Sequence, residues 1–289
     1  MDILFNIASI FLDVFLGLLP YFIGGILLSG ILEVFVSSEL IRKVTHHAYR
    51  AIPLMCFMGI LLPVANGGSM PLASRMLKKG TPFYAVITFI TAVPLLNFLT
   101  AINSSLALGW ENWFFNRWLP GLVLAVVSGG VFYKYPYVSS DDSQMLDPGK
   151  DDDRSKWRHY GDTVVFDFLK WVPLFILTAL LAGVLRYFLP FSTWINGESV
   201  SQSLQVLIAV FYAIIVSVSS TVDSFIIMNW IGHISIWPVI AFLLSSALLN
   251  LVSGIMALKA LGTKLALYWY LWCLICIVLF VFSFQLISG

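Results

Sequence analysis

The sequence predicts an all-α, polytopic membrane protein that is built from two internal repeats. Of its 289 residues, 60% are hydrophobic and 11% are charged, and the mean hydropathy is +0.92. A soluble domain carries about 25% charged residues, so this composition excludes one. The chain also contains about eight long apolar segments, and it matches itself when it is shifted by 153 positions. The net charge of +1 gives no indication of nucleic-acid binding.

The self-match keeps one register over two blocks. Residues 20–36 and 173–189 are identical at eight of seventeen positions, and residues 86–102 and 239–255 at seven of seventeen. Unrelated apolar segments of this composition would agree at roughly one position in ten. We infer a duplication, with a first membrane repeat at residues 1–135 and a second at residues 162–289. In transporters with such repeats, the binding site lies between them.

Six of the apolar segments have the length of a membrane-spanning helix or nearly so, since about 20 apolar residues are needed. The second and the sixth are different because polar residues interrupt them. In order, the segments are at about 5–36, 51–65, 82–108, 119–135, 162–189, 204–219, 236–258 and 265–287.

The two interruptions occupy the same place in each repeat. The second segment is interrupted by Asn66-Gly67-Gly68-Ser69-Met70-Pro71, and the sixth by Ser219-Ser220-Thr221-Val222-Asp223. Glycine permits unwinding, and proline removes a backbone donor. Irregular backbone at membrane depth is tolerated only where protein or a wet cavity satisfies it. Paired interruptions therefore predict a transport site with a polar pocket beside them.

Charge placement favours six crossings and two re-entrant hairpins. If the interrupted segments turn back within the membrane, thirteen of the 16 basic residues lie on the cytoplasmic side, as the positive-inside rule expects. Arg117 and Arg186 are then outside, and Lys170 is within a span. Both termini are outside, and because each repeat crosses three times, the repeats are inverted. Eight full crossings are the alternative, and they give no clear positive side.

No part of the sequence predicts an enzyme. Residues 136–161 are polar and rich in aspartate, so we expect a flexible cytoplasmic linker. The chain has no nucleotide-binding loop motif, no Ser/His/Asp arrangement and no metal-ligand spacing. Cys273 and Cys276 form a C-x-x-C within an apolar run, where cysteine behaves as a small apolar residue. We therefore expect no catalytic residue, metal or cofactor.

Asp223 is the most informative single residue. It lies far from either end of its hydrophobic region, where a charged group costs about 3 kcal/mol. It would hold a cation, carry a coupling proton or pair with Lys170. The alternative is that it only caps the helix that follows it.

Other polar residues in apolar surroundings complete the predicted site. Asn97 and Asn250 are equivalent in the two repeats, and their amides would either coordinate a solute or bond between helices. The residues around the interruptions would supply hydroxyl and amide contacts, unless their own backbone satisfies them. The predicted substrate- or ion-binding residues are Asn66, Gly67, Gly68, Ser69, Pro71, Asn97, Ser219, Ser220, Thr221, Asp223 and Asn250.

Two motifs carry a family resemblance. The stretch 62–73, followed by Leu77-Lys78-Lys79-Gly80, resembles the first signature of a predicted bacterial permease family related to organoarsenical efflux permeases, P-x-C-x-C-G-x-x-P-L-A…L-x-K-G. The stretch 219–225 is similar to its second signature, C-S-x-x-D-[AS]-F. The resemblance implies a multi-pass permease of the bacterial plasma membrane. Relatives are often encoded beside a small membrane-associated protein, so it also implies a second subunit.

The chain departs from these signatures at their cysteines. Pro63, Gly68, Pro71 and Asp223 match, but the three cysteine positions hold Ala65, Gly67 and Ser219. Because thiolates bind soft metals and arsenicals, their loss disfavours a thiophilic substrate and favours a harder ion or a small polar solute.

These observations lead to two functional hypotheses. The first is a secondary permease that moves a small solute or ion by alternating access between the repeats, with proton coupling that would link it to pH homeostasis. It would work alone, as a homo-oligomer or as one subunit of a two-component complex in the lipid bilayer. The alternative is a non-transporting membrane subunit that anchors or regulates a partner protein.

Overall fold

The computed structural model describes residues 2–64, 66–135, 155–188, 201–228, 230 and 234–288, and these are largely α-helical. The first part of the chain forms α1 (Asp2–Phe35), α2 (Ser38–Thr45), α3 (Ala48–Leu61), α4 (Ser69–Lys78), α5 (Phe83–Leu96), α6 (Phe98–Leu108), α7 (Trp110–Trp113) and α8 (Leu119–Val131). The second part forms α9 (Lys156–Phe188), α10 (Gln202–Val216), α11 (Asp223–Ile227), α12 (Ile236–Leu248), α13 (Leu251–Leu261) and α14 (Thr263–Ser288).

The prediction of an all-α, polytopic membrane protein is confirmed. Six helical stretches of the described chain are long and apolar enough to cross a membrane, and they correspond to the six longer segments of the sequence. They are Ile3–Phe35, Phe83–Leu108, Trp110–Lys134, Lys156–Phe188, Ile236–Leu261 and Thr263–Leu286. The second and sixth segments form the shorter helices α3 and α10, which are too short to span the hydrocarbon.

Both predicted interruptions are present. After α3 the chain leaves the helix and resumes as a 3₁₀ turn over Asn66–Gly68, which leads directly into α4. After α10, Ser217 adopts the left-handed conformation with φ of 48°, and α11 begins only at Asp223. Asn66 also has a positive φ, 31°. Asparagine enters this region more readily than most residues with a side chain, which suits Asn66 to the start of the 3₁₀ turn.

Two further interruptions were not predicted. The third and seventh segments are each divided into two helices, at Asn97 between α5 and α6, and at Leu249–Asn250 between α12 and α13. In each case the asparagine side chain accepts a hydrogen bond from a backbone N–H of the following helix, Leu99 or Ser253. Asn97 and Asn250 lie in apolar segments that are long enough for one continuous helix each, but both are N-caps at a break.

The start of α9 differs from the expected linker boundary. Residues 136–154 lie outside the described residues, but α9 begins at Lys156, so residues 156–161 are helical rather than part of a linker. The carbonyl of Ser155 accepts bonds from the N–H groups of Arg158 and His159 and so begins this helix.

The two spans that are divided at Asn97 and at Leu249–Asn250 lie at the centre of the molecule. Every residue of α5 is buried, as is α12 from Pro238 to Leu248. The outer helices α1, α9 and α14 instead expose large apolar side chains, as helices that face lipid do. Helices α1 and α9 pack against each other, and the rings of Phe22 and Phe175, which are 153 positions apart in the sequence, stack with centroids 4.3 Å apart.

Candidate functional site

The interruptions from the two parts of the chain contact each other through Asn66. Its Nδ2 donates to the carbonyl oxygens of Val218 and Ser246, at 3.1 and 3.3 Å. Its Oδ1 accepts from the backbone N–H of Ser220 at 3.1 Å. The Asn66 side chain is buried. One amide therefore bonds two backbone groups of the second interruption, at Val218 and Ser220, and the carbonyl of Ser246 in α12.

Glycines let α1 and α13 approach the first interruption closely. A Cβ on Gly68 would lie 2.3 Å from the carbonyl oxygen of Tyr21, and one on Gly25 would lie 1.8 Å from the carbonyl oxygen of Gly68. A Cβ on Gly67 would lie 2.8 Å from the Met256 sulfur. The contacts of Gly25 and Gly68 are with backbone atoms and leave no room for a side chain, whereas those of Gly67 are with side chains that could shift.

The first turn of α4 completes this interruption. The Ser69 hydroxyl donates to the carbonyl of Asn66 at 2.8 Å. Pro71 is buried in the same turn, where a backbone N–H would have no helical acceptor. These two predicted residues thus shape the start of α4.

The second interruption carries a fully buried ion pair between Arg117 and Asp223. Nη1 of Arg117 is 2.6 Å from Oδ1 of Asp223, and Nη2 is 2.9 Å from Oδ2. Both side chains have no solvent exposure. Arg117 lies in a π-helical turn between α7 and α8, whereas Asp223 is the first residue of α11. The two parts of the chain therefore each supply one member of a bidentate pair, the strongest geometry for this interaction.

Serine hydroxyls and a backbone carbonyl surround the pair. Ser246 and Ser224 donate to the carboxylate of Asp223, and Nη2 of Arg117 also donates to the carbonyl of Ser220 at 2.9 Å. The Ser104 hydroxyl accepts from Nη1 of Arg117 at 3.2 Å. Such added bonds are needed to hold two charges away from water.

This geometry adds to one expectation and corrects another. Arg117, which the sequence assigned only to the outer side, is among the largest fully buried side chains. The partner of Asp223 is Arg117 and not Lys170, which lies on α9. Arg117, Ser104 and Ser246 were missed at the sequence level. The burial of Arg117 would have been expected if the fourth span had been started at Trp110. Arg117 is then seven residues, or roughly 10 Å, inside the span.

Several buried polar atoms near the interruptions have no protein partner among the described residues. They are the Ser220 hydroxyl, Nε of Arg117 and the hydroxyls of Thr100 and Ser253. Thr100 and Ser253 are equivalent at the offset of 153, and each follows its N-cap asparagine by three residues. By contrast, Ser219 and Thr221 bond each other, with their hydroxyl oxygens 2.8 Å apart.

The amides of Asn97 and Asn250 are occupied by the protein. Nδ2 of Asn97 donates to the carbonyls of Leu62 and Val64 just before the first interruption. Nδ2 of Asn250 donates to the carbonyl of Ser246 at 2.9 Å. Of the two roles that the sequence left open, Asn97 bonds between segments, whereas the Nδ2 bond of Asn250 stays within its own segment.

A second cluster of buried charges also joins the two parts of the chain. Nη2 of Arg75 on α4 is 2.8 Å from Oδ1 of Asp167 on α9, and Nη1 is 3.6 Å from Glu33 on α1. Ser29 donates to Asp167, and Lys79 is 3.8 Å from Glu33. In the predicted topology, this cluster lies on the cytoplasmic side of the interruptions and the Arg117–Asp223 pair on the outer side.

Most polar side chains of the two interruptions bond to protein groups. Two cavities, of about 220 and 120 Å³, lie elsewhere, and both are lined almost wholly by apolar side chains. The polar pocket that the sequence predicts beside the interruptions stays a prediction, since most polar groups there contact one another but the Ser220 hydroxyl and Arg117 Nε have no protein partner among the described residues. Nor do the described residues hold a group of three or more His, Cys, Asp or Glu side chains placed to bind a metal ion.

Comparison with known proteins gives a consistent result. A family model described as a predicted permease matches residues 3–286. The UPF0718 protein YcgR of Bacillus subtilis is 27% identical over 267 residues, which cover 88% of each chain. A Streptococcus mutans protein, provisionally named a two-component membrane permease complex subunit, is 24% identical over 271 residues, or 90% of this chain and 88% of the relative. No solved structure is significantly similar to the chain.

Proposed function

The chain belongs to the predicted permease family, and from that premise we propose that it moves a small polar solute or ion between its two halves by alternating access. The path passes where the two interruptions meet, beside Asn66, Ser220 and Asp223. In this proposal, the contacts between the two interruptions belong to a state that is closed to both sides.

The Arg117–Asp223 pair is the observation that supports this proposal most. A buried ion pair adds little net stability, and well-packed apolar residues often replace one without loss. Charged side chains inside membrane spans are accordingly functional candidates. Because one partner comes from each half, separation of the halves would expose both charges to the path.

The unpartnered groups at the interruptions are consistent with a polar solute. Arg117 Nε and the Ser220, Thr100 and Ser253 hydroxyls retain bonding capacity in the closed state. A small solute that bonds them would compensate for contacts that are broken when the halves separate.

We further propose that protons drive this movement, and that the protein thereby contributes to pH homeostasis. Protonation of Asp223 would remove the negative charge that holds Arg117, so it would weaken the closure on the outer side. Protonation and opening would then be linked through one carboxylate.

The test is proton movement in proteoliposomes that contain a pH-sensitive dye and carry an imposed pH gradient. The wild-type protein is expected to dissipate the gradient faster than protein-free liposomes, and Asp223→Asn to abolish this. Asp13→Asn is the matched control, because it makes the same change in an exposed ion pair with Arg186, 2.8 Å away. An unchanged rate in Asp223→Asn would remove this carboxylate from the mechanism.

The second candidate function is a subunit that needs a partner. The name of the Streptococcus mutans relative favours it, as does the loss of the signature cysteines. Purification of the protein from its native membrane distinguishes the two. The subunit role predicts that a second protein co-purifies in a fixed ratio and that protons move only when this second protein is present. An independent permease needs no such partner.

A further inference from the structure

The larger of the two cavities lies between α1, α2, α3, α4 and α5, away from the Arg117–Asp223 pair. It measures about 220 Å³, and its lining includes Val44 of α2, Met58 of α3, Met76 of α4 and Phe89 of α5. A water molecule takes about 30 Å³ in the liquid, but apolar cavities are not filled by water. An apolar ligand is therefore the occupant that this lining suits.

The cavity opens toward the surface of the helix bundle. Several of its lining residues are only half-buried, among them Leu32, Leu54 and Met58. The neighbouring α3 residues Phe57 and Leu61 are exposed and apolar, as lipid-facing residues are. An acyl chain could therefore enter from the bilayer.

The amphipathic helix α2 covers one end of the cavity. Leu40, Ile41 and Val44 line the cavity, whereas Arg42 and Lys43 are exposed. The helix begins three residues after the membrane-spanning α1 ends at Phe35. A short helix with these two faces at the end of a span is typical of the membrane surface.

Exposed basic residues occur on α2, at the start of α3 and at the end of α4. Arg42, Lys43, Arg50 and Lys78 are exposed. The stem of Arg42 lies 3.6 Å from the position that a Cβ of Gly80 would take, so α2 and the end of α4 are adjacent. Glu39 is the exposed acidic residue on α2, and Glu33 is already paired with Arg75 and Lys79. The surrounding charge is therefore net positive and complements an anionic head group.

We propose that this cavity and its basic rim bind an anionic phospholipid, with an acyl chain in the cavity and the phosphate against Arg42 and Lys43. Anionic lipids are concentrated in the cytoplasmic leaflet, the side on which the positive-inside rule places these residues. Leu62 lines the cavity, and its carbonyl accepts a bond from Asn97. The lipid would thus contact the segment that leads into the first interruption.

The proposal is tested with the purified full-length protein in detergent by native mass spectrometry. Phosphatidylglycerol and phosphatidylcholine with the same acyl chains are titrated separately. The wild-type protein is expected to bind one phosphatidylglycerol with clear preference. Arg42→Gln/Lys43→Gln should weaken phosphatidylglycerol binding by about fivefold per charge and leave phosphatidylcholine binding unchanged.

Control variants separate the charge from the cavity. Lys156→Gln/Arg158→Gln removes two exposed basic residues on the same predicted side, at the start of α9, and should keep the preference. Met58→Trp should fill the cavity and abolish binding. Val44→Trp, at a residue that is 37% exposed, blocks the same cavity with less risk to folding. Equal binding of the two lipids by the wild type, unchanged binding in Val44→Trp, or a co-purifying protein that excludes the lipid would each overturn the proposal.

Discussion

Arg117 and Asp223 hold each other in a geometry that satisfies most of their bonding groups. Both carboxylate oxygens receive a guanidinium N–H, and Ser246 and Ser224 donate to the same carboxylate. Removal of one partner would leave the other charge buried without compensation, which costs more than removal of both.

We predict that Asp223→Asn or Arg117→Met destabilises the protein by about 3–5 kcal/mol. The double variant Arg117→Met/Asp223→Leu should lie close to the wild type, since no unpaired charge remains. Denaturant unfolding in detergent measures the free energies of unfolding, and Asp13→Asn should change them by less than about 1 kcal/mol. If the losses of unfolding free energy in the two single variants sum to the loss in the double variant, the pair is not energetically coupled.

The sequence identified one half of this pair and missed the other. Asp223 is conspicuous because it is an isolated acid in an apolar region. The sequence placed Arg117 on the outer side, before an apolar run that begins at Leu119, and did not indicate that its side chain is buried within a helix that extends back to Trp110. Which charge meets Asp223 depends on how the two halves pack, and no local pattern carries that information.

At the scale of elements, the packing of α1 against the first interruption depends on paired glycines. The backbone of α1 at Tyr21 and Gly25 is almost in contact with Gly68. Any β-carbon there must push α1 away from the interruption.

We predict that Gly25→Ala and Gly68→Ala each destabilise the protein by at least about 2 kcal/mol, in the range of overpacked core sites. Gly17→Ala is the matched control on α1, because no heavy atom lies within 4 Å of the position of its Cβ. It should be neutral or stabilising by up to about 1 kcal/mol, since alanine favours helix. Thermal unfolding in detergent compares the three variants. Equal unfolding midpoints for all three would contradict the close packing at Gly25 and Gly68.

Two interruptions were predictable and two were not. Consecutive polar and glycine residues indicated those at Asn66 and Ser219. The interruptions at Asn97 and Asn250 consist of a single asparagine in an apolar run. The Asn97 side chain is held at this break by hydrogen bonds to the carbonyls of Leu62 and Val64. These are tertiary contacts, which the local sequence does not reveal.

At the scale of the whole molecule, buried polar contacts join the two halves at three levels. Arg75 with Asp167, Asn66 with Ser220, and Arg117 with Asp223 each cross between them. Hydropathy and charge predicted the six long helices, but not these contacts. If the repeats are inverted, as the sequence predicts, opening on one side would break the outer or the inner ion pair while the other holds.

The most direct test of alternating access is the labelling of a single cysteine at Ser219. Its side chain is 2% exposed, and the family signature that the chain resembles carries cysteine there. With Cys56, Cys273 and Cys276 replaced by alanine, a membrane-impermeant maleimide is applied to right-side-out and to inside-out vesicles. Ser128→Cys, on α8 and equally buried, is the control and should not react from either side. We predict that Ser219→Cys reacts from both sides, and a thiol that reacts from neither would contradict a path between the halves.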